Sequence, residues 1–258
     1  MTNVLFPTAA TRTAQLIDPR RATHVGMTAD HYADVLGEQV PPAKKLGQRL
    51  MRTTFYSTGY QLLRPLGLRL AGGLRSPGRD ADRIRIGEWL NLQPGVTVFD
   101  IGCGPGNFTG WFGAQVFPGG LAVGVDASHQ MLHRAVSDNS GPSVAYLRAD
   151  AEQLPFADNT ADAATCLAAL YLINNPFQAL MELVRVLRPG GRVVILTSLS
   201  VDGASNSRHG KIIQRSSGVR MFGRDEITNF LRTAGFVNIQ QHMEGLAQFV
   251  IAMKPSAS

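Results

Sequence analysis

Cysteine is scarce in this 258-residue chain: there are two, Cys103 and Cys166, each in a stretch that reads as core. A disulfide framework is not expected, and a reducing, cytoplasmic compartment fits. No apolar run approaches the ~18 residues that a membrane span needs. The first residues, MTNVLFPTAATRTAQ, have neither a charged start nor a long apolar segment, so no secretory leader is expected. An acidic excess is lacking too, since 25 Lys and Arg stand against 19 Asp and Glu. With 44% hydrophobic content, the chain can bury one sizeable core.

The net charge of +6 is unevenly placed. Residues 1–95 hold 13 Lys and Arg against 7 Asp and Glu, and residues 96–258 hold 12 of each. The basic excess therefore belongs to the N-terminal third, which decides what it can attract. Residues 1 to about 40 show no sustained periodicity and read as loop or short helix. After Pro41-Pro42 a helix is expected, with Leu46, Leu50, Met51 and Phe55 on one half of the wheel and Lys45, Arg49 and Arg52 on the other. The segment runs on as YQLLRPLGLRLAGGL and breaks at Pro65. A helical cap with a solvated basic face is the plainer reading. A lid for an anionic or amphiphilic substrate, or a contact with a membrane surface through residues 43–75, is the sharper one.

The stretch VTVFDIGCGPGNFTG, Val96 to Gly110, organises the remainder. Val96–Phe99 reads as a strand buried on both faces, Asp100 ends it, and Gly102, Gly104 and Gly106 follow at alternate positions. A helix resumes over Asn107–Gln115. Such a strand, glycine turn and helix present free backbone N–H groups and a helix N-terminus to a polar ligand. The spacing is G-x-G-x-G, not the dinucleotide G-x-G-x-x-G. Upstream, Arg79–Leu92 reads as a helix with Ile84, Ile86, Trp89 and Leu90 inward. Downstream, strands are expected at Leu121–Val125, Ser143–Arg148, Ala163–Ala168 and Arg192–Thr197. Helices are expected at Ser128–Ser137, Asn175–Leu187 and Arg224–Ala234, the second with Phe177, Leu180, Met181, Val184 and Leu187 on one stripe. Phe236–Gln241 and Leu246–Met253 read as a terminal hairpin. Asp126, closing the second strand ~20 residues past the glycines, stands where a cofactor ribose offers its hydroxyls. Asp150, followed by an apolar Leu154-Pro155-Phe156, suits an adenine edge and wall.

The segments DIGCGPGNF, GVDAS, RADAEQLPFADNTADAA and FQALMELVRVLRPGGRVVILT resemble, in order and spacing, class I S-adenosylmethionine-dependent methyltransferases. The group they are most similar to contains the ubiquinone and menaquinone biosynthesis enzymes. The resemblance covers roughly residues 85–200. It implies an α/β, Rossmann-like, seven-stranded and mostly parallel sheet with helices on both faces and a terminal antiparallel hairpin. A helical N-terminal cap or lid, residues 1–85, would precede a cofactor-binding domain, residues 86–258. It implies that Asp100, Gly102, Gly104 and Gly106 lie along the methionine part of S-adenosylmethionine. Asp126 would hold the ribose, with Met131, Asp150 and Ala151 at the adenine, and Cys103, Asn107 and Ala127 complete the cofactor-binding set.

Methyl transfer from a sulfonium is an in-line displacement that needs a base only when the acceptor carries a poorly acidic proton. Tyr171, His31 and His209 are the candidates for that role, and Tyr171 reads better as a pocket wall. His129 and His133 have i, i+4 spacing without an evident third ligand, so no metal site is expected. Asn174-Asn175-Pro176-Phe177 resembles the signature of nucleic-acid amino methyltransferases but lacks its second proline. Asn175 as helix cap, with Pro176 first in the helix, accounts for it. Ser200–Gly223 is a long, polar, basic loop at a substrate-covering position. Residues 1–75 and this loop are expected to cover the acceptor, and removing 1–75 to leave cofactor affinity within about tenfold. The expected activity is methyl transfer to O or activated C of a small or lipid-like acceptor. A nucleic-acid methyltransferase and a non-catalytic cofactor-binding protein are the alternatives, and no specific nucleic-acid partner is expected.

Overall fold

A computed structural model describes residues 8–22, 24–38, 79–200 and 220–256. In chain order the elements are α1 (Ala9–Gln15), β1 (Gly26–Met27), β2 (Ala33–Asp34), α2 (Arg79–Leu90), β3 (Thr97–Ile101) and α3 (Asn107–Val116). Then come β4 (Leu121–Asp126), α4 (His129–Asn139), β5 (Val144–Arg148), β6 (Ala161–Leu167) and α5 (Pro176–Val186). The last are β7 (Leu187–Ser198), α6 (Glu226–Thr233), β8 (Val237–Glu244) and β9 (Ala247–Met253). The strands form one sheet in the order β1-β2-β5-β4-β3-β6-β7-β9-β8. β5, β4, β3, β6 and β7 run parallel, and β9 is antiparallel to both β7 and β8.

The central strands are apolar almost throughout because both faces are covered. On one face α1, α5 and α6 seal Phe99, Val123, Leu147 and Ile195 with Ala9, Leu180, Leu183, Ile227 and Leu231. On the other, α2 and α3 cover Val98, Ala122 and Val194 with Ile86, Leu90, Phe112 and Val116. Two stripes are narrower than their spacing suggests: Ile84 is 56% exposed and Met181 51% exposed, each at the solvent margin of its helix.

Among the described residues the sheet has nine strands where seven were expected. The additional pair comes from the N-terminal residues: β2 adds parallel to β5 and β1 antiparallel to β2. Two-residue strands carry too few side chains to show a period, which is why residues 24–38 read as loop. Strand register lines up Asp126, Arg148 and Asp34 in one row across β4, β5 and β2. The expected helix and basic face at residues 43–75, and most of the Ser200–Gly223 loop, lie outside the described residues.

Candidate active site

The C-terminal ends of β3, β4, β5 and β6 surround a cleft, at the point where the chain turns from building one half of the sheet to building the other. Asp100 stands at the end of β3, in register with Gly124 and Thr165, and is 2% exposed. Its carboxylate accepts from Thr109 Oγ1 at 2.6 Å and Thr165 Oγ1 at 3.0 Å. These hydroxyls offset the cost of burying the charge and tie α3 and β6 to the strand end.

The glycine turn follows. Gly102 and Cys103 donate their N–H groups to the Val125 carbonyl at 2.8 and 3.0 Å. Gly106, with φ +75°, precedes α3, and a Cβ there would sit 2.3 Å from Tyr146 Oη. At Gly104 a Cβ would meet nothing within 4 Å, and the N–H donates to Asp126 Oδ2 at 2.9 Å. The turn is therefore packed at its end and open at its middle. Asp126 Oδ1 accepts from Ser128 N at 2.9 Å, and Ser128 caps α4 by accepting from Met131 N at 3.4 Å. That cap turns Met131 into the cleft.

Asp100, Gly102, Cys103, Gly104, Asn107, Asp126, Ala127, Met131, Asp150 and Ala151 all line the cleft, and Gly106 lies behind it against Tyr146. Tyr171 is not among the lining residues. It packs against the core, and its carbonyl accepts from Arg220 N at 3.1 Å. His31 is exposed in the turn between β1 and β2, away from the cleft, and His209 lies outside the described residues. Leu154 and Phe156, expected as an adenine wall, are fully buried instead, with Phe156 stacked on Phe99 at 4.1 Å. Glu182 and Arg185 draw that loop inward: Leu154 N donates to Glu182 Oε2 at 2.8 Å, and Arg185 donates to the Leu154 and Phe156 carbonyls.

The rest of the lining is Leu167, Ala168, Ala169, Leu172, Ile173 and Asn174, from the end of β6 and the loop after it, where the sequence pointed to Asn174 only as part of a rejected signature and to Ala168 only as a strand end. The available signal was their place at the C-terminal end of a central parallel strand. Ala168 has φ +57°, unusual for a residue with a Cβ, and its N–H is held by the Leu196 carbonyl at 2.8 Å. Glu152 crosses between the walls, accepting from Asn175 N at 2.9 Å. Asn175 caps α5 with Pro176 in its first turn.

Four carboxylates, Asp100, Asp126, Asp150 and Glu152, line one cleft and favour a cationic ligand. Burial, with the Asp126 and Asp100 carboxylates, pushes the Cys103 thiol well above its ordinary value and keeps it neutral. Arg148, 1% exposed, donates to the Ala127 carbonyl at 3.3 Å from behind the cleft.

A methyltransferase-domain family matches residues 99–195, which run from the end of β3 into β7. The ubiquinone/menaquinone biosynthesis C-methyltransferase of Ectopseudomonas mendocina is 33% identical over 185 residues, 69% of this chain and 67% of that protein. The chain belongs to the class I S-adenosylmethionine-dependent methyltransferases. An uncharacterized 37.1 kDa protein in transposon TN4556 of Streptomyces fradiae is 38% identical over 107 residues, and the chain spans 31% of its length. In fold the methyltransferase is similar to Haemonchus contortus phosphoethanolamine N-methyltransferase 2 in complex with S-adenosyl-L-methionine. The TM-score is 0.66 at 16% identity, over 85% of this chain and 61% of that one. Members of this family take the transferred methyl group from S-adenosylmethionine. The cofactor supplies a methyl group already activated on a cationic sulfur. A carboxylate-lined cleft with an open glycine turn fits it. Among the described residues no helix is long and apolar enough to cross a membrane.

Proposed function

We propose that this methyltransferase alkylates oxygen or an activated carbon of a lipid-like, quinol-type acceptor. The observation that carries the reading is the division of the cleft. The ends of β3 and β4 and the turn after β5 supply Asp100, Asp126 and Asp150, while the end of β6 and the loop after it supply Leu167, Leu172 and Ile173. In this reading the glycine turn takes the methionine part of the cofactor, Asp126 the ribose hydroxyls, and Asp150 with Ala151 and Met131 the adenine. The apolar wall takes the acceptor. The protein's contribution is positioning and exclusion of water, the terms that matter most for a displacement between two bound partners.

The similarity to enzymes named for ubiquinone and menaquinone biosynthesis supports a quinol ring. In the sequence, the interleaved apolar and basic residues of 43–75, which lie outside the described residues, support contact with a membrane surface, where an acceptor with an apolar tail resides, and attraction of an anionic group. Two free cysteines agree with a cytoplasmic enzyme. The test is methyl transfer from radiolabelled S-adenosylmethionine to a panel of demethylated quinols, simple phenols and a defined RNA. Label in the quinols is expected. Stoichiometric label in RNA at physiological salt, with none in the quinols, would overturn the reading.

A further inference from the structure

Beyond Leu167, the last residue of β6, the apolar wall is a loop carrying one 3-10 turn, Leu170–Leu172. What holds it comes from a distant part of the chain. Arg220 N donates to the Tyr171 carbonyl at the centre of that turn, at 3.1 Å, while Ser198 Oγ donates to the Arg220 carbonyl at 2.6 Å. The Arg220 guanidinium lies 5.1 Å from the centre of the Phe177 ring and 4.9 Å from that of Phe222. Its Nη2 donates to Glu226 Oε2 at 2.9 Å. Phe177 opens α5, directly beyond the wall. One residue thus grips the wall at its middle through the backbone and at its exit through the side chain. Arg220 is not among the cleft-lining residues.

From this we infer that Arg220 is a positioning residue for the acceptor, fixing Leu172 and Ile173 through Tyr171 and Phe177. The inference rests on the reading of that wall as the acceptor side. A stacked guanidinium paired to a carboxylate is an orienting device, because both ring faces and the ion pair must be satisfied in one geometry. Since the guanidinium does not face the cofactor wall, its loss separates acceptor binding from cofactor binding.

The experiment compares wild type with Arg220→Ala, Arg220→Lys and Glu226→Gln. Hydrogen exchange of residues 170–174 is read without any acceptor, and affinity for S-adenosylhomocysteine is read by calorimetry. KM and kcat are read with a short-chain demethylated quinol. For Arg220→Ala, exchange of the wall should quicken about tenfold and quinol KM rise about tenfold. The S-adenosylhomocysteine affinity should stay within about twofold. Arg220→Lys, which keeps a cation near the rings but lacks the planar guanidinium, should recover only part of both effects. Unchanged exchange at 170–174, or a cofactor affinity that falls in step with KM, would overturn the assignment. If Arg220→Ala does not fold, Glu226→Gln decides: faster exchange confined to the wall supports the role, and unchanged exchange overturns it. If no quinol is methylated by wild type, the proposed acceptor fails, and the exchange measurement alone judges Arg220.

Discussion

Arg148 and Asp34, 114 residues apart in sequence, meet in a 2.7 Å ion pair at the edge of the sheet. The guanidinium is almost wholly buried and also donates to the Gly37 and Ala127 carbonyls, so it joins the N-terminal strands to the cleft rim.

Removing Asp34 leaves a buried cation without its counter-ion, and Asp34→Ala should cost about 3 kcal/mol of stability. Burial pushes the Asp34 carboxyl up, but the hydrogen bonds from Arg148 and from the Leu36 and Gly37 amides outweigh it and hold it below its ordinary value. The pair's contribution is therefore complete above the unfolded carboxylate value, about 4. It is lost as pH falls through the lower folded value. Urea melts at pH 7 and at acid pH should show the gap between wild type and Asp34→Asn closing in acid. The same geometry changes the outcome expected for removing residues 1–75. That truncation takes β1, β2 and Asp34 with it and should melt early instead of keeping near-normal cofactor affinity.

The glycines of the turn should fail differently. Gly106→Ala places a methyl 2.3 Å from Tyr146 Oη at positive φ and should lower the melting temperature by several degrees, about 2 kcal/mol or more. Gly104→Ala meets nothing within 4 Å, so it should lose about 1–2 kcal/mol from backbone strain yet bind S-adenosylhomocysteine much more weakly. Thermal melts and calorimetry on both variants separate the two effects. Equal stability losses would show that the turn is uniformly packed.

Asp126→Ala should lose about 1.5–3 kcal/mol of S-adenosylhomocysteine affinity from charge-assisted hydrogen bonds. Because Asp126 also accepts from Gly104 N and Ser128 N, part of that loss reports the shape of the turn. Unchanged calorimetric affinity would remove Asp126 from the ribose role.

Neither cysteine should react with iodoacetamide in the native enzyme at pH 8. Burial and the Asp126 and Asp100 carboxylates push Cys103 up, and burial with Asp100 pushes Cys166 up to about 12. Both thiols should label once the protein is unfolded, since the reactive thiolate is then accessible. Rapid native labelling of Cys103 would contradict a neutral thiol beside two carboxylates.

From β3 to β6 the architecture was legible because each strand is a short β-branched or alanine-rich run bounded by glycine, proline or an acidic residue, whereas β7 begins at Leu187, five residues before the strand expected at Arg192. Asp100, Asp126 and Asp150 were legible for the same reason, as the polar residues that stop buried strands. What escaped depended on contacts far apart in sequence. The β1–β2 pair has too few residues to show a pattern. The inward pull on Leu154 and Phe156 comes from Glu182 and Arg185 on another element. The apolar wall Leu167–Asn174 belongs to a loop whose shape depends on Leu196, Arg220 and Glu152. Its tyrosine read as the pocket wall, and the aliphatic residues beside it line the cleft instead.

That wall is fastened at both margins, by Ala168 N on the Leu196 carbonyl and by Asn175 N on Glu152. A panel fixed at its borders can change its face without moving its frame. On the proposed reading, replacement of Leu172 or Ile173 reshapes the space offered to an acceptor, while Asp100 and Asp126 keep their own hydrogen-bond partners. On that reading the arrangement is permissive for descent: new acceptors are reached by exchanging a few aliphatic side chains, and the donor side is carried through each exchange.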